Sequence, residues 1–192
     1  MRRILLAAAA VAALAVAAAG CSTGANAVSQ TAGDSNGYVA GDGKTLVFPV
    51  AERKAAPTIS GATVDGGNYS LAASKGDVVV LNFWASWCAP CRLEASALES
   101  TYQATKTSGV TFVGVNSRDE KDRAQSFESD HTTYPSLFDP KGKVALRFAE
   151  VSTALPCTVI IDRSGKVAVV IRNTVTQDKL TPLIDQVSAE KS

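Results

Sequence analysis

Val78-Val79-Val80-Leu81-Asn82-Phe83-Trp84 runs through Ala85-Ser86-Trp87 into Cys88-Ala89-Pro90-Cys91. The first seven residues are almost all apolar, without the alternation of a half-exposed strand. That texture predicts a central strand covered on both faces. From Pro90 to about Thr105, Leu93, Ala97, Leu98 and Tyr102 fall along one stripe, which predicts a helix. A buried strand joined to a helix by a short turn is the unit from which the remaining chain is read.

Downstream, Val110–Val115 reads as a second buried strand. Asp119–Asp130 reads as a surface helix with Ala124 and Phe127 inward, and Gly142–Phe148 as a short helix. Thr158–Asp162, the turn Arg163-Ser164-Gly165-Lys166 and Val167–Ile171 form a hairpin. Gln177–Glu190 carries Leu180, Leu183, Ile184 and Val187 on one face and closes the chain as an amphipathic helix. Pro182 suits a first helical turn, which moves the expected start toward Leu180. Upstream, Thr58–Val64 and Tyr69–Ala72 are short strands about the turn Asp65-Gly66-Gly67-Asn68. This order predicts an α/β fold with a mixed central sheet flanked by helices and a short N-terminal hairpin addition.

The cysteine pair carries the chemistry. Positions i and i+3 on a first helical turn share a face and are close enough for a disulfide. The free N–H groups and positive dipole end there favour a thiolate, so Cys88, at the exposed helix start, is the expected nucleophile and Cys91 the resolving thiol. Pro90 is tolerated because a first-turn residue has no intrahelical N–H bond to lose. Tetrahedral zinc would need two further ligands, and Cys157, His131 and Cys21 are the remaining Cys and His, so no metal is expected. A disulfide closing so short a loop removes little chain entropy, which argues for redox use over simple bracing.

The first residues read as an export signal. Met1-Arg2-Arg3 precedes an apolar run from Ile4 to Ala19, too short for a membrane span. Residues 1–20 are therefore expected to be a signal peptide. Ala18-Ala19-Gly20-Cys21 resembles a bacterial lipobox, which implies acylation of Cys21 and a membrane anchor; ordinary cleavage after Ala19, giving a secreted protein, is the alternative. Residues 21–56 are rich in Gly, Ser, Thr and Ala and are expected to form a flexible tether, with Thr45–Val50 a candidate edge strand. Residues 57–192 form the expected domain. Of 192 residues, 46% are hydrophobic and 19% charged; without the first twenty residues the charge is about −1. Such a balance offers no electrostatic footprint for nucleic acid.

Leu81–Cys91, Phe138-Asp139-Pro140 with Gly142-Lys143-Val144, and Leu155–Lys166 together resemble the thioredoxin superfamily, specifically its extracytoplasmic TlpA/ResA-like branch. The resemblance implies a thioredoxin fold without cofactor. It also implies a thiol–disulfide oxidoreductase acting on exported Cys-containing proteins, with roles extending to cytochrome c maturation and a membrane redox donor or acceptor as partner. It further implies that Pro156 is a cis-proline facing the cysteines, and that the backbone of Leu155 pairs with an incoming peptide. Trp87 is expected at the rim of that groove and Trp84 in the core. Asn82 stands where cytoplasmic thioredoxins carry a buried acid and cannot accept a proton. Glu94, matching the branch's glutamate near the pair, is the candidate acceptor for Cys91, with a solvated helix-face acid as the alternative. Cys157 reads as a small buried residue opening a strand, or as a third redox thiol. His131 is placed in an exposed loop. Two other functions stay open: a thiol peroxidase of the same superfamily, and a non-catalytic metal-binding or interaction lipoprotein.

Overall fold

A computed structural model describes residues 43–148, 151 and 154–190; the expected signal peptide, the lipidation residue Cys21 and most of the expected tether lie outside the described residues. Eight strands and three α-helices follow in the order β1 (Thr45–Val47), β2 (Ser60–Ala62), β3 (Asn68–Ser70), β4 (Val78–Trp84), α1 (Ala89–Thr105), β5 (Val110–Ser117), α2 (Lys121–His131), β6 (Ser136–Asp139), β7 (Cys157–Ile161), β8 (Val167–Ile171) and α3 (Gln177–Ser188). Six strands form one mixed sheet in the order β1-β8-β7-β4-β5-β6, and β2 and β3 make the separate N-terminal hairpin.

β4 is the spine of the sheet. It pairs parallel with β5 and antiparallel with β7, and all seven of its residues are buried. The two-residue period then divides them between two cores. Val79, Leu81 and Phe83 enter one core with Val113, Val115, Val159 and Ile161. Val78 and Val80 enter the other, with Leu98, Leu180 and Ile184 from α1 and α3. Asn82 is third in that second row, a polar residue after two apolar ones, and Trp84 beyond it joins the first core. Burying a side chain the size of Phe83 or Leu81 contributes about 2–3 kcal/mol, so the row fixes the strand firmly up to the point where chemistry begins.

One glycine is required by packing. A Cβ on Gly114 would lie 2.0 Å from Ser136 Oγ and 2.7 Å from Trp84 Nε1. Its absence lets Trp84 donate its indole N–H to Ser136 at 3.1 Å across β5.

Several elements depart from the sequence reading. The Gly142–Phe148 helix is reduced to a 3-10 turn over Ala145–Arg147. β6 has no sequence signal, because four residues with a serine and an aspartate carry no clear period. His131 is the last residue of α2, stacked on Phe127, and not a loop residue. α3 begins at Gln177, so Pro182 lies inside the helix; the lost N–H falls within its second turn, where the cost is local.

The folded unit also starts earlier than Pro57. β1 pairs antiparallel with β8, Ala55 bridges Lys166, and Arg53 is buried. Its guanidinium bonds Asp162 at 3.0 Å, both carboxylate oxygens of Glu190, and the Phe48 carbonyl at 3.0 Å. Residues 45–56 therefore belong to the domain, because one cation joins the β7–β8 turn to the end of α3. Burial pushes the Asp162 carboxyl up, but hydrogen bonds from Ser164, Lys166 and Arg53 outweigh it and hold the group below its ordinary value. Arg53→Ala would leave two carboxylates without their cation and should cost about 2–4 kcal/mol, read as a lower urea midpoint; Arg53→Lys should recover little, since an ammonium cannot replace the fork. An unchanged midpoint in Arg53→Ala would show that the segment is not held by this cluster.

Candidate active site

At the carboxyl end of β4 the chain turns through Ala85–Trp87 into α1. Cys88 is the N-cap of that helix, and its Sγ accepts the Cys91 N–H at 3.3 Å. The two cysteines form a disulfide with Cα atoms 5.3 Å apart. Pro90 occupies the first turn, where no intrahelical N–H is needed. Cys88, expected to be exposed, is only 1% exposed and Cys91 3%; both are enclosed in the core cluster containing Phe83, Phe148, Leu155 and Cys157.

The loop ahead of Cys88 is clamped from one side. Asp119 accepts from the Ser86 hydroxyl at 2.8 Å, the Ser86 N–H at 2.5 Å, Asn116 Nδ2 at 2.9 Å and the Glu120 N–H at 2.8 Å. The next bond along comes from Trp87, whose indole donates to the Arg118 carbonyl at 2.9 Å. Arg118 has φ 55°, a left-handed conformation that costs a non-glycine residue about 1 kcal/mol. By sequence Asp119 opens a surface helix. Its role as a clamp has no sequence signal beyond an acid following a buried strand.

On the other side, the Leu155–Pro156 bond is cis and leads into β7. Phe83 pairs with Cys157, so the antiparallel register sets Pro156 level with Trp84, at the end of the sheet where the cysteines lie. Leu155 and Cys157 are buried, Trp84 is buried and Trp87 is half-buried. A groove of about 520 Å³ runs beside Trp87 between α1 and α2, lined by Ser86, Arg92, Arg123, Phe127 and His131. Among the described residues no group of three or more His, Cys, Asp or Glu could hold a metal ion.

Glu94 is not a solvated acid. It is 2% exposed and lies one turn after Cys91 on α1. Asn82 Nδ2 donates to one carboxylate oxygen at 2.8 Å and the Val175 N–H to the other at 2.9 Å. Asn82 also donates to Thr158 Oγ1 at 3.2 Å. Burial pushes the Glu94 carboxyl up to about 7, against the lowering effect of the Val175 and Asn82 hydrogen bonds. Asn82, which cannot itself take a proton, thus orients the residue that can.

The AhpC/TSA family model matches residues 53–170. The chain belongs to that family. Thiol:disulfide interchange protein HelX of Rhodobacter capsulatus is 35% identical over 59% of this chain and 62% of that protein. Thiol-disulfide oxidoreductase ResA of Bacillus subtilis is 32% identical over 68% of this chain and 73% of its own length. Among solved structures, a DsbF homologue from Corynebacterium diphtheriae superposes with a TM-score of 0.71 and 35% identity, covering 78% of this chain and 97% of that one. The fold is that of thioredoxin, the resemblance to the ResA-like branch holds, and the chain is a thiol–disulfide oxidoreductase.

The buried carboxyls make stability depend on pH. Glu128 is also raised, to about 7, chiefly by desolvation. Between about pH 4.5 and 7 the folded chain holds protons that the unfolded chain has released, so these groups favour the fold most at low pH and the advantage is lost as pH rises through 7. Glu94 can contribute up to about 3 kcal/mol of this change, and Glu128, nearer solvent, less. The urea midpoint of the oxidised protein should fall between pH 5 and 8, and Glu94→Gln should remove more than half of the fall. An equally steep fall in that variant would assign the effect elsewhere.

Proposed function

We propose that this protein is a lipid-anchored extracytoplasmic enzyme that exchanges disulfides with exported Cys-containing proteins through Cys88 and Cys91. The observation that carries the mechanism is the buried Glu94 carboxyl, held by Asn82 and Val175 one turn beyond Cys91. In the reducing direction, the Cys88 thiolate attacks a client disulfide. One client sulfur becomes bonded to Cys88 and the other leaves as a thiolate. Glu94 then takes the Cys91 proton, and Cys91 attacks the mixed disulfide, releasing the second client thiolate and forming the Cys88–Cys91 bond. Two electrons have passed to the client. A membrane dithiol returns them to the pair, and the reverse sequence oxidises a client.

Cys88 takes the first role because it caps α1, where the helix dipole and the Cys91 N–H favour negative charge on its sulfur. Trp87 and the Leu155 backbone, on either side of the pair, supply the contact surface for an extended client segment, with Pro156 setting the chain direction. Clients include the haem-attachment cysteines of c-type cytochrome precursors. The lipid on Cys21 holds the enzyme outside the cytoplasmic membrane; unlipidated secretion is the alternative fate.

Two experiments separate these roles. Cys91→Ser should accumulate mixed disulfides with exported proteins, whereas Cys88→Ser should accumulate none; the opposite pattern would reverse the assignment. Glu94→Gln should slow resolution about a hundredfold or more while leaving the first attack nearly unchanged, measured by stopped-flow kinetics of both steps across pH. Equal slowing of both steps would reduce Glu94 to a structural acid. Peroxide turnover without any protein disulfide substrate would favour the peroxidase alternative. Cys21→Ala should move the protein from the membrane to the soluble fraction with its exchange activity intact.

A further inference from the structure

A narrow crevice reaches Cys91 between β4, α1 and the end of α2. Its volume is about 10 Å³, room for about one water molecule. Asn82 and Trp84 line it from β4, Cys91 and Ala95 from α1, and Thr132 and Tyr134 from the segment that follows α2. Glu94 does not line it and is joined to it through Asn82, which donates to the carboxylate at 2.8 Å. Cys91 therefore has a polar neighbourhood on a side away from Glu94.

Thr132 and Tyr134 also line a second, larger depression of about 420 Å³ between α2 and the β2–β3 turn. Glu128 of α2 lines that depression and is 8% exposed. Its Oε1 accepts the Ser136 N–H at 3.1 Å, while among the described residues its Oε2 is buried with no hydrogen-bond partner. Buried polar atoms are almost always paired, so an unpaired carboxyl oxygen beside a cavity asks for a use. The two hydroxyl residues are held in place from either side. The Thr132 N–H donates to the Glu128 carbonyl at 3.0 Å, and the Tyr134 ring packs on Tyr102 and Phe112 with centroids 5.4 and 5.6 Å away. Cys91, the crevice, the two hydroxyl residues and the unpaired carboxyl thus follow one another outward from α1.

We propose that this line is a second proton path to Cys91, parallel to Glu94, in which one crevice water takes the thiol proton and the Thr132 and Tyr134 hydroxyls pass a proton on to Glu128. The inference rests on the reading of Cys91 as the resolving thiol. As Cys91 attacks the mixed disulfide, its sulfur bonds to Cys88 and the client sulfur leaves with the electron pair of the broken bond. The Cys91 proton moves onto the water as the water gives one of its own to a hydroxyl, and each hydroxyl does the same in turn. One proton arrives at the Glu128 carboxylate, which later releases it to solvent. The titratable groups facing the path are Glu94 and Glu99 on α1, Asp65 in the β2–β3 turn and Glu128 itself. Desolvation raises Glu128 to about 7, with the Asp65 charge adding to it and hydrogen bonds from Ser136 opposing it. Glu128 therefore becomes able to accept a proton as pH rises through about 7, and the path opens over that range.

The test uses the full chain carrying Glu94→Gln, in which resolution is left to other routes, and follows both steps by stopped-flow kinetics across pH. The remaining resolution rate should rise with pH and level off above about 7, as Glu128 becomes ionised. Adding Tyr134→Phe, or separately Thr132→Val, removes one hydroxyl and should lower that rate at least about fivefold relative to the first attack in the same traces. Adding Glu128→Gln should abolish the levelling and leave only the slower, unbroken rise of a thiol ionised by solvent. Hydroxyl and carboxyl variants that leave the Glu94→Gln rate and its pH profile unaltered would overturn the path and leave the Glu94 role standing. If Glu94→Gln itself fails to slow resolution, the Glu94 role falls, and the same substitutions in otherwise unchanged protein decide the path alone: about fivefold slowing supports it, no slowing overturns it. Trapping of clients by Cys88→Ser in place of Cys91→Ser would withdraw the resolving role and the path with it.

Discussion

The structure turns on a carboxyl group buried without a cation. Glu94 sits on the inner face of α1 and meets only hydrogen-bond donors, the Asn82 amide from β4 and the Val175 N–H just ahead of α3. Those bonds join three elements, and the second Asn82 bond to Thr158 adds β7. An ionised carboxylate in such a place costs several kcal/mol unless its charge is matched, and two neutral donors match it only partly. The group answers by holding its proton up to about pH 7. Arg53 shows the contrast within the same molecule. There a buried cation meets two carboxylates, hydrogen bonds hold the Asp162 carboxyl below its ordinary value, and the result is a brace. One buried polar cluster holds the fold together; the other is left poised to exchange a proton.

A proton acceptor is useful only if the reacting sulfurs are held still. β4 supplies the fixed platform because both of its neighbours are strands and both of its faces are covered. Beyond Trp84 the support passes to side chains: Asp119 holds Ser86, the Arg118 carbonyl holds the Trp87 indole, and the helix cap holds Cys88. Each of these bonds is worth about 1 kcal/mol or a little more, yet together they fix Ser86, Trp87 and Cys88 between strand and helix. Gly114 belongs to the same frame, since a methyl group there would push apart Trp84 and Ser136.

Much of this was legible in the chain itself. The unbroken apolar run over Val78–Trp84 and the two-residue Cys spacing encode strand and redox pair through local pattern alone; the stripe from Leu93 to Tyr102 marks the helix but misplaces its inner face, since Leu93 is 80% exposed and Cys91, Glu94, Ala95, Leu98 and Thr101 are the buried side. The hairpin about Ser164-Gly165 is local too. What stayed hidden depends on contacts between distant parts. Glu94 could be picked as a candidate, but its burial depends on Val175, 81 residues away. Asp119 reads as an ordinary helix-start acid until the fold brings Ser86 to it. Arg53 looks like a tether residue because its partners lie 109 and 137 residues downstream. Cys88 seemed exposed because helix starts usually are, and the core cluster around it has no trace in the local sequence.

The central claim is that the buried Glu94 carboxyl changes its protonation near neutrality, where it can receive the Cys91 proton. The most direct measurement is a pH titration of the Glu94 side-chain carboxyl carbon by carbon-13 nuclear magnetic resonance, assigned by its loss in Glu94→Gln. A midpoint near 7 in the oxidised protein is expected. A midpoint near the ordinary carboxylate value of about 4.5 would mean that Glu94 remains ionised throughout the working range, and would contradict the claim.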